Sequence, residues 1–302
     1  MNIDISGISV NLPELFSLGC IIGFLSGFFG IGGGALITPI LHIFFGIPFP
    51  IGIGSTLSQT TGTAFSAALR YWQFGDVDVR LGLMVVGGNF VGIEIGVHLL
   101  GRLSELGAVN LGNQSIPAIQ FYLQWIFFGL LTVIAALILA ESVIIKRDKG
   151  GEFGQRFGFL QRISIPPYVS LAHSGVQRIS LVVVTYSAFF SGILTGLLGI
   201  GGGVISVPLL IYGYGVGTHT AIGTGVLIVF FSSAYGTVTH AIRGNVDLWL
   251  VVPLLTGSTI SAQLGAMTSR KVPGSSIRFC FAFIVLLVAG LILFNLLHLI
   301  RG

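Results

Sequence analysis

Charge is what this chain has least of. Asp, Glu, Lys and Arg make up 8% of its 302 residues, where a soluble domain carries about 25%. With 53% hydrophobic residues and a mean hydropathy of +0.97, that deficit excludes a soluble globular chain and predicts an all-α integral membrane protein. Cysteine is nearly absent too. Cys20 and Cys280 sit alone in apolar runs, which excludes a disulfide framework and a zinc site. The sequence has no ATP-binding motif, nucleophile–base pair, metal-ligand set or cofactor motif. The expectation is therefore no enzyme, no metal and no cofactor. The net charge of +4 comes largely from one central stretch, so it reads as membrane topology and not as nucleic-acid binding. Met1 to Glu14 lacks the basic start and cleavage site of a signal peptide, so the first apolar segment is expected to be retained.

Glycine, by contrast, is abundant and clustered. Gly30-Ile31-Gly32-Gly33-Gly34 recurs as Gly199-Ile200-Gly201-Gly202-Gly203, each inside a long apolar run. Glycine is about 1 kcal/mol worse than alanine inside a helix, so several together predict an unwound backbone. Unwinding in lipid is tolerated only where the backbone is buried in protein or lines a wet cavity. Breaks at corresponding positions of two halves point to a transporter's binding site.

Around these breaks the chain reads as two four-segment halves, about eight membrane segments in all. Residues 1–145 form an N-terminal repeat and 179–302 a C-terminal one, joined by a basic linker, 146–178. Leu15 to Phe45 is too long for one straight span and too short for two. It either crosses once, unwound in the middle, or re-enters. Gly19, Gly23 and Gly27 share one face before the break, as Gly88, Gly92 and Gly96 do in the third span, which predicts close helix packing. The second span, Ile51 to Trp72, is unusually polar at its centre. An offset of 169 residues aligns the halves without a gap from Gly23/Gly192 to Gly96/Gly265. If the broken segments re-enter, the repeats are inverted and Lys/Arg divide 11 to 3 in favour of the linker's side. If they cross, the division is 10 to 4. Either way the linker is expected in the cytoplasm.

The stretches Ser26-Gly27-Phe28-Phe29-Gly30-Ile31-Gly32-Gly33-Gly34 with Pro39, and Thr195-Gly196-Leu197-Leu198-Gly199-Ile200-Gly201-Gly202-Gly203 with Pro208, resemble the sulfite exporter TauE/SafE family. Ala221-Ile222-Gly223-Thr224 and the Gly244-Asn245-Val246-Asp247 turn look like the same family's second half. The resemblance implies a multi-pass permease of the bacterial inner membrane for a small anion, often a sulfur oxyanion or organosulfonate such as sulfite or sulfoacetate. A membrane accessory protein that transports nothing is the alternative. The exact substrate, the direction, the coupling ion (protons included) and a homodimer stay open.

Each candidate site residue has a plainer reading beside the functional one. The amides of Gly32, Gly33, Gly34, Gly201, Gly202 and Gly203, at helix N-termini, suit an anion, but the glycines also suit tight packing or a bend. A loose dinucleotide fingerprint, Gly30-x-Gly32-x-x-Ala35, lacks the strand it requires. Ser55, Ser58 and Gln59, with Thr224 in the second half, suit a polar path, but interhelical hydrogen bonding would also occupy them. Glu94 is the candidate for proton coupling, although its counterpart is Gln263. Asp78 and Asp247 read as turn or cap residues. Phe153, Phe157, Phe159 and Leu160 suit either a plain connector or a segment lying on the bilayer surface.

Overall fold

The computed structural model describes residues 2–5, 8–111, 114–147, 158–163, 165–171 and 174–301. The chain is an all-α membrane protein, and seven of its described helices are long and apolar enough to cross a bilayer. A β-hairpin, β1 (Asn2–Ile5) and β2 (Ile8–Asn11), leads into α1 (Leu12–Phe29), followed by α2 (Gly34–Phe45), α3 (Phe49–Phe74) and α4 (Val79–Glu105). A second hairpin, β3 (Ala108–Leu111) and β4 (Gln114–Pro117), opens onto α5 (Ala118–Arg147). After a 3-10 turn at Phe159–Arg162, a third hairpin, β5 (Tyr168–Leu171) and β6 (Val176–Ser180), feeds α6 (Leu181–Leu198). Next come α7 (Gly203–Pro208), a π turn (Leu209–Gly213), α8 (Thr218–Ile242), α9 (Leu248–Ser269) and α10 (Gly274–Arg301). Phe153 and Phe157 lie outside the described residues. Leu160 packs toward Gly213, while Phe159 is exposed.

Glycine sets the helix pairs. A Cβ at Gly19, Gly23 or Gly27 would lie within 2.5 Å of the backbone of Leu254, Ser258 or Ala262, so α1 packs on α9 with the two chains running in the same direction. Gly88, Gly92 and Gly96 meet the backbone near Thr185, Phe189 and Ile193 in the same way, which packs α4 on α6, again running together. In a bilayer, where burial of apolar surface drives little, such close backbone approach is a main source of helix association. Two other pairs run oppositely. In α3 and α8, Gly54 meets Asn245, Thr61 bonds Ser233, and Gly223 meets Asp76. In α5 and α10, Gln124 Nε2 near the start of one donates to Asn295 Oδ1 near the end of the other, at 2.9 Å.

The polar helix α3 sits between α8 and α9. Its 26 residues extend about 39 Å, but its Ser, Thr and Gln content keeps it out of the seven apolar helices. Two matched aspartates start helices: Asp78 Oδ1 accepts from Leu81 N at 3.0 Å, and Asp247 Oδ1 from Trp249 N at 2.9 Å. Each also receives its partner helix's hydroxyl at its own amide. Asp78 N donates to Thr224 Oγ1 and Asp247 N to Ser55 Oγ, both at 2.9 Å.

Candidate functional site

Both glycine clusters interrupt helix. Gly30 ends α1 at φ +73° and Gly33 precedes α2 at φ +84°; Gly199 ends α6 at φ +70° and Gly202 precedes α7 at φ +85°. These are left-handed conformations that side chains other than glycine's rarely adopt. The first amides to bond within α2 are those of Leu36 and Ile37, both to Gly33 O at 3.0 Å. In α7 they are Ile205 and Ser206, to Gly202 O at 3.1 and 2.8 Å. The amides just before them have no acceptor within their helix.

The two breaks touch. A Cβ at Gly34 would lie 2.4 Å from Gly199 O, and one at Gly203 2.5 Å from the backbone of Ile31. Gly32 and Gly201 both face Thr60 of α3 and Val229 of α8, near the middle of those helices. The structure thus gathers all six candidate glycines at one place in the bundle.

The candidate side chains are more dispersed. Gln59 is fully buried, and its amide nitrogen donates to Thr63 Oγ1 at 2.6 Å and Ser258 Oγ at 2.7 Å. Ser58 Oγ donates to Gly54 O at 3.0 Å. Ser55 and Thr224 hold the loop amides of Asp247 and Asp78 near opposite ends of the bundle. Much of α3's remaining polarity joins helices: Thr61 to Ser233 at 3.1 Å, and Ser66 Oγ to Thr259 O at 2.7 Å. Glu94 stands apart from the breaks. Its carboxylate lies 3.3 Å from Arg243 Nη2 and 3.3 Å from His98 Nε2.

Sequence reasoning missed the residues around the second break. A Cβ at Gly202 would lie 3.1 Å from Thr195 Oγ1, 3.8 Å from Ser206 Oγ and 3.9 Å from Asn89 Nδ2. At Gly33 the neighbours are Ile22 Cγ2 at 2.8 Å and Ser26 Cβ at 3.5 Å. The 169-residue offset held a usable signal, since it pairs Asn89 with Ser258 and Thr63 with Ser232. Those are the partners of two polar contacts: Asn89 Nδ2 to Ser232 Oγ at 2.9 Å, and Thr63 Oγ1 to Ser258 Oγ at 2.6 Å.

The chain as a whole is similar to known membrane transporter proteins. The chain is 26% identical to the probable membrane transporter protein YunE of Bacillus subtilis, over 91% of this chain and 94% of that one. It is 25% identical to the probable membrane transporter protein YdhB of the same organism, over 90% and 96%. The probable membrane transporter protein MamO of Magnetospirillum gryphiswaldense is 25% identical over 87% of this chain and 42% of its own length. No solved structure matches the chain. The sulfite exporter TauE/SafE profile matches residues 15–292, so the chain belongs to that family of membrane transporters.

Proposed function

We propose that this chain is a permease that carries a small anion, such as sulfite or sulfoacetate, across a bacterial inner membrane. The observation that carries the proposal is the contact between two unwound glycine segments inside the helix bundle. Gly32–Gly34 and Gly201–Gly203 line the site in this reading, and Gln59 ties α3 to Ser258 of α9. Ser55, Ser58 and Thr224 brace the surrounding loops and helices. Helix starts favour negative charge, so the anion needs no buried lysine or arginine. The breaks are in contact in this conformation; transport requires them to part and alternate access between the two faces.

We read the chain as two homologous halves of inverted topology. Under the 169-residue offset the α1–α9 and α4–α6 contacts are the same contact. The α3–α8 and α5–α10 pairs join equivalent helices running oppositely, as an axis in the membrane plane requires. Each broken segment then re-enters. In support, Phe44 and Phe45 at the end of α2 share a groove with Val10 of β2 and Glu14 at the start of α1. The linker 146–178 then lies opposite the termini, on the cytoplasmic face by its basic residues. A reporter fused near Gly150 is expected to be active only in its cytoplasmic form, and periplasmic activity would reverse the orientation.

Flux into proteoliposomes tests the function. Purified protein is expected to move at least one of sulfite, sulfoacetate and thiosulfate faster than chloride. Absence of any flux would make the chain a membrane accessory protein.

A further inference from the structure

Among the described residues, Asn89 Oδ1, Ser191 Oγ and Ser206 Oγ are buried without a hydrogen-bond partner. Their residues are 0%, 1% and 1% exposed. Buried polar groups are normally paired, and an unpaired one calls for an explanation. Asn89, Ser206 and Thr195 each place a polar atom within 4 Å of a Cβ built on Gly202. Ser191 lies one turn before Thr195, whose hydroxyl donates to its carbonyl at 2.9 Å. Its neighbour Gly192 abuts the backbone of Asn89.

The equivalent positions around the first break are Ser258 of α9 and, in the first half, Ile22, Ile37 and, for Thr195, Ser26. There Gln59 supplies an amide that occupies Ser258 and Thr63. Its counterpart in the second half is Ile228, which offers no hydrogen bond. The amide that bonds Ser258 and Thr63 around the first break thus has no counterpart around the second.

We infer that the charged end of the substrate binds beside Gly202, accepting from the hydroxyls of Ser191 and Ser206 and from the second Nδ2 hydrogen of Asn89, and that it carries a single negative charge. This rests on the permease reading above and narrows its substrate class. No lysine or arginine occurs in α6, α7 or α8, or between Leu81 and Leu100 of α4. His240 Nε2 sits 3.1 Å from the Gly196 carbonyl and must donate there. Its Nδ1 faces Asn245 Nδ2 at 3.4 Å and must accept. Hydroxyls and amides stabilise one buried charge, but a second without a cation is costly. The site therefore suits a monoanionic sulfonate or the singly protonated form of an oxyanion, in preference to a dianion.

Methanesulfonate and sulfate separate one charge from two at similar size. Titration calorimetry on the purified full chain is expected to show methanesulfonate binding at least about tenfold tighter than sulfate. Ser191→Ala and Ser206→Ala, checked as monodisperse, should each weaken it about tenfold, the scale of a hydrogen bond to a charged group. Ser26→Ala should stay within twofold. Equal methanesulfonate affinity in wild type and both C-terminal variants overturns the inference and leaves the permease reading standing. Sulfate binding as tight as methanesulfonate overturns its single-charge part. A wild-type protein that binds neither and moves no anion overturns the permease reading and the inference with it.

Discussion

At Gly33 the first break meets aliphatic carbon and at Gly202 the second meets hydroxyls, although both breaks carry the same glycine pattern. Gly33 faces Ile22 and the Cβ of Ser26, while Gly202 faces Thr195, Ser206 and Asn89. Backbone angles agree within a few degrees, at φ +84° and +85°. The duplicated glycines therefore set geometry, and the residues at matched positions around them set chemistry. In the proposal above, such a backbone with an asymmetric lining would let both breaks bend alike while the second holds the anion.

The largest effect should come from Gly33→Leu and Gly202→Leu. Each forces a side chain into a left-handed conformation, a strain of about 1–3 kcal/mol. At Gly33 the new Cβ would also meet Ile22 Cγ2 at 2.8 Å. Both variants are expected to insert and to lose anion flux in proteoliposomes. Loss in Gly202→Leu alone would sharpen the contrast, since only the second break would then be needed.

Gln59→Ala should act next, and differently. It removes the amide that bonds Thr63 and Ser258 and leaves those two hydroxyls bonded to each other. Unfolding free energy in detergent is expected to fall by about 1–3 kcal/mol, with substrate affinity within twofold. A large loss of affinity would place the substrate in both halves.

The smallest effect on stability should be that of Glu94→Gln, which makes this position match Gln263. The Glu94 side chain is 40% exposed, and exposed pairs contribute about 1 kcal/mol or less. The variant is expected to keep its stability and its flux, and loss of the response of flux to an imposed pH gradient would tie Glu94 to proton coupling. An unchanged response would remove Glu94 from proton coupling.

Much of this architecture is legible in the residues. The glycine clusters announce helix ends because no other residue rests easily at those angles. Gly19, Gly23 and Gly27 announce a close neighbour, and Asp78 and Asp247 announce helix starts. The sequence does not say which neighbour arrives or in which direction it runs, because α9 meets α1 across more than two hundred residues. The centre of α3 reads as a polar path, yet Gln59, Thr61, Thr63 and Ser66 bond to other helices. The lining of the second break stayed hidden for a related reason. Asn89, Thr195 and Ser206 lie on three helices, and only packing brings them to Gly202.

The central claim is that the two breaks meet and must part for an anion to pass. Gly34 and Gly203 test it most directly, because neither is among the glycines at positive φ, so alanine there acts through the contact alone. The measurement is the initial rate of sulfite flux in proteoliposomes for Gly34→Ala and Gly203→Ala, beside Gly87→Ala, whose added Cβ would meet nothing within 4 Å. The account predicts a fall of at least about tenfold for the first two, the scale of a contact error worth about 1.4 kcal/mol, and an unchanged rate for Gly87→Ala. Wild-type rates from both Gly34→Ala and Gly203→Ala would contradict it.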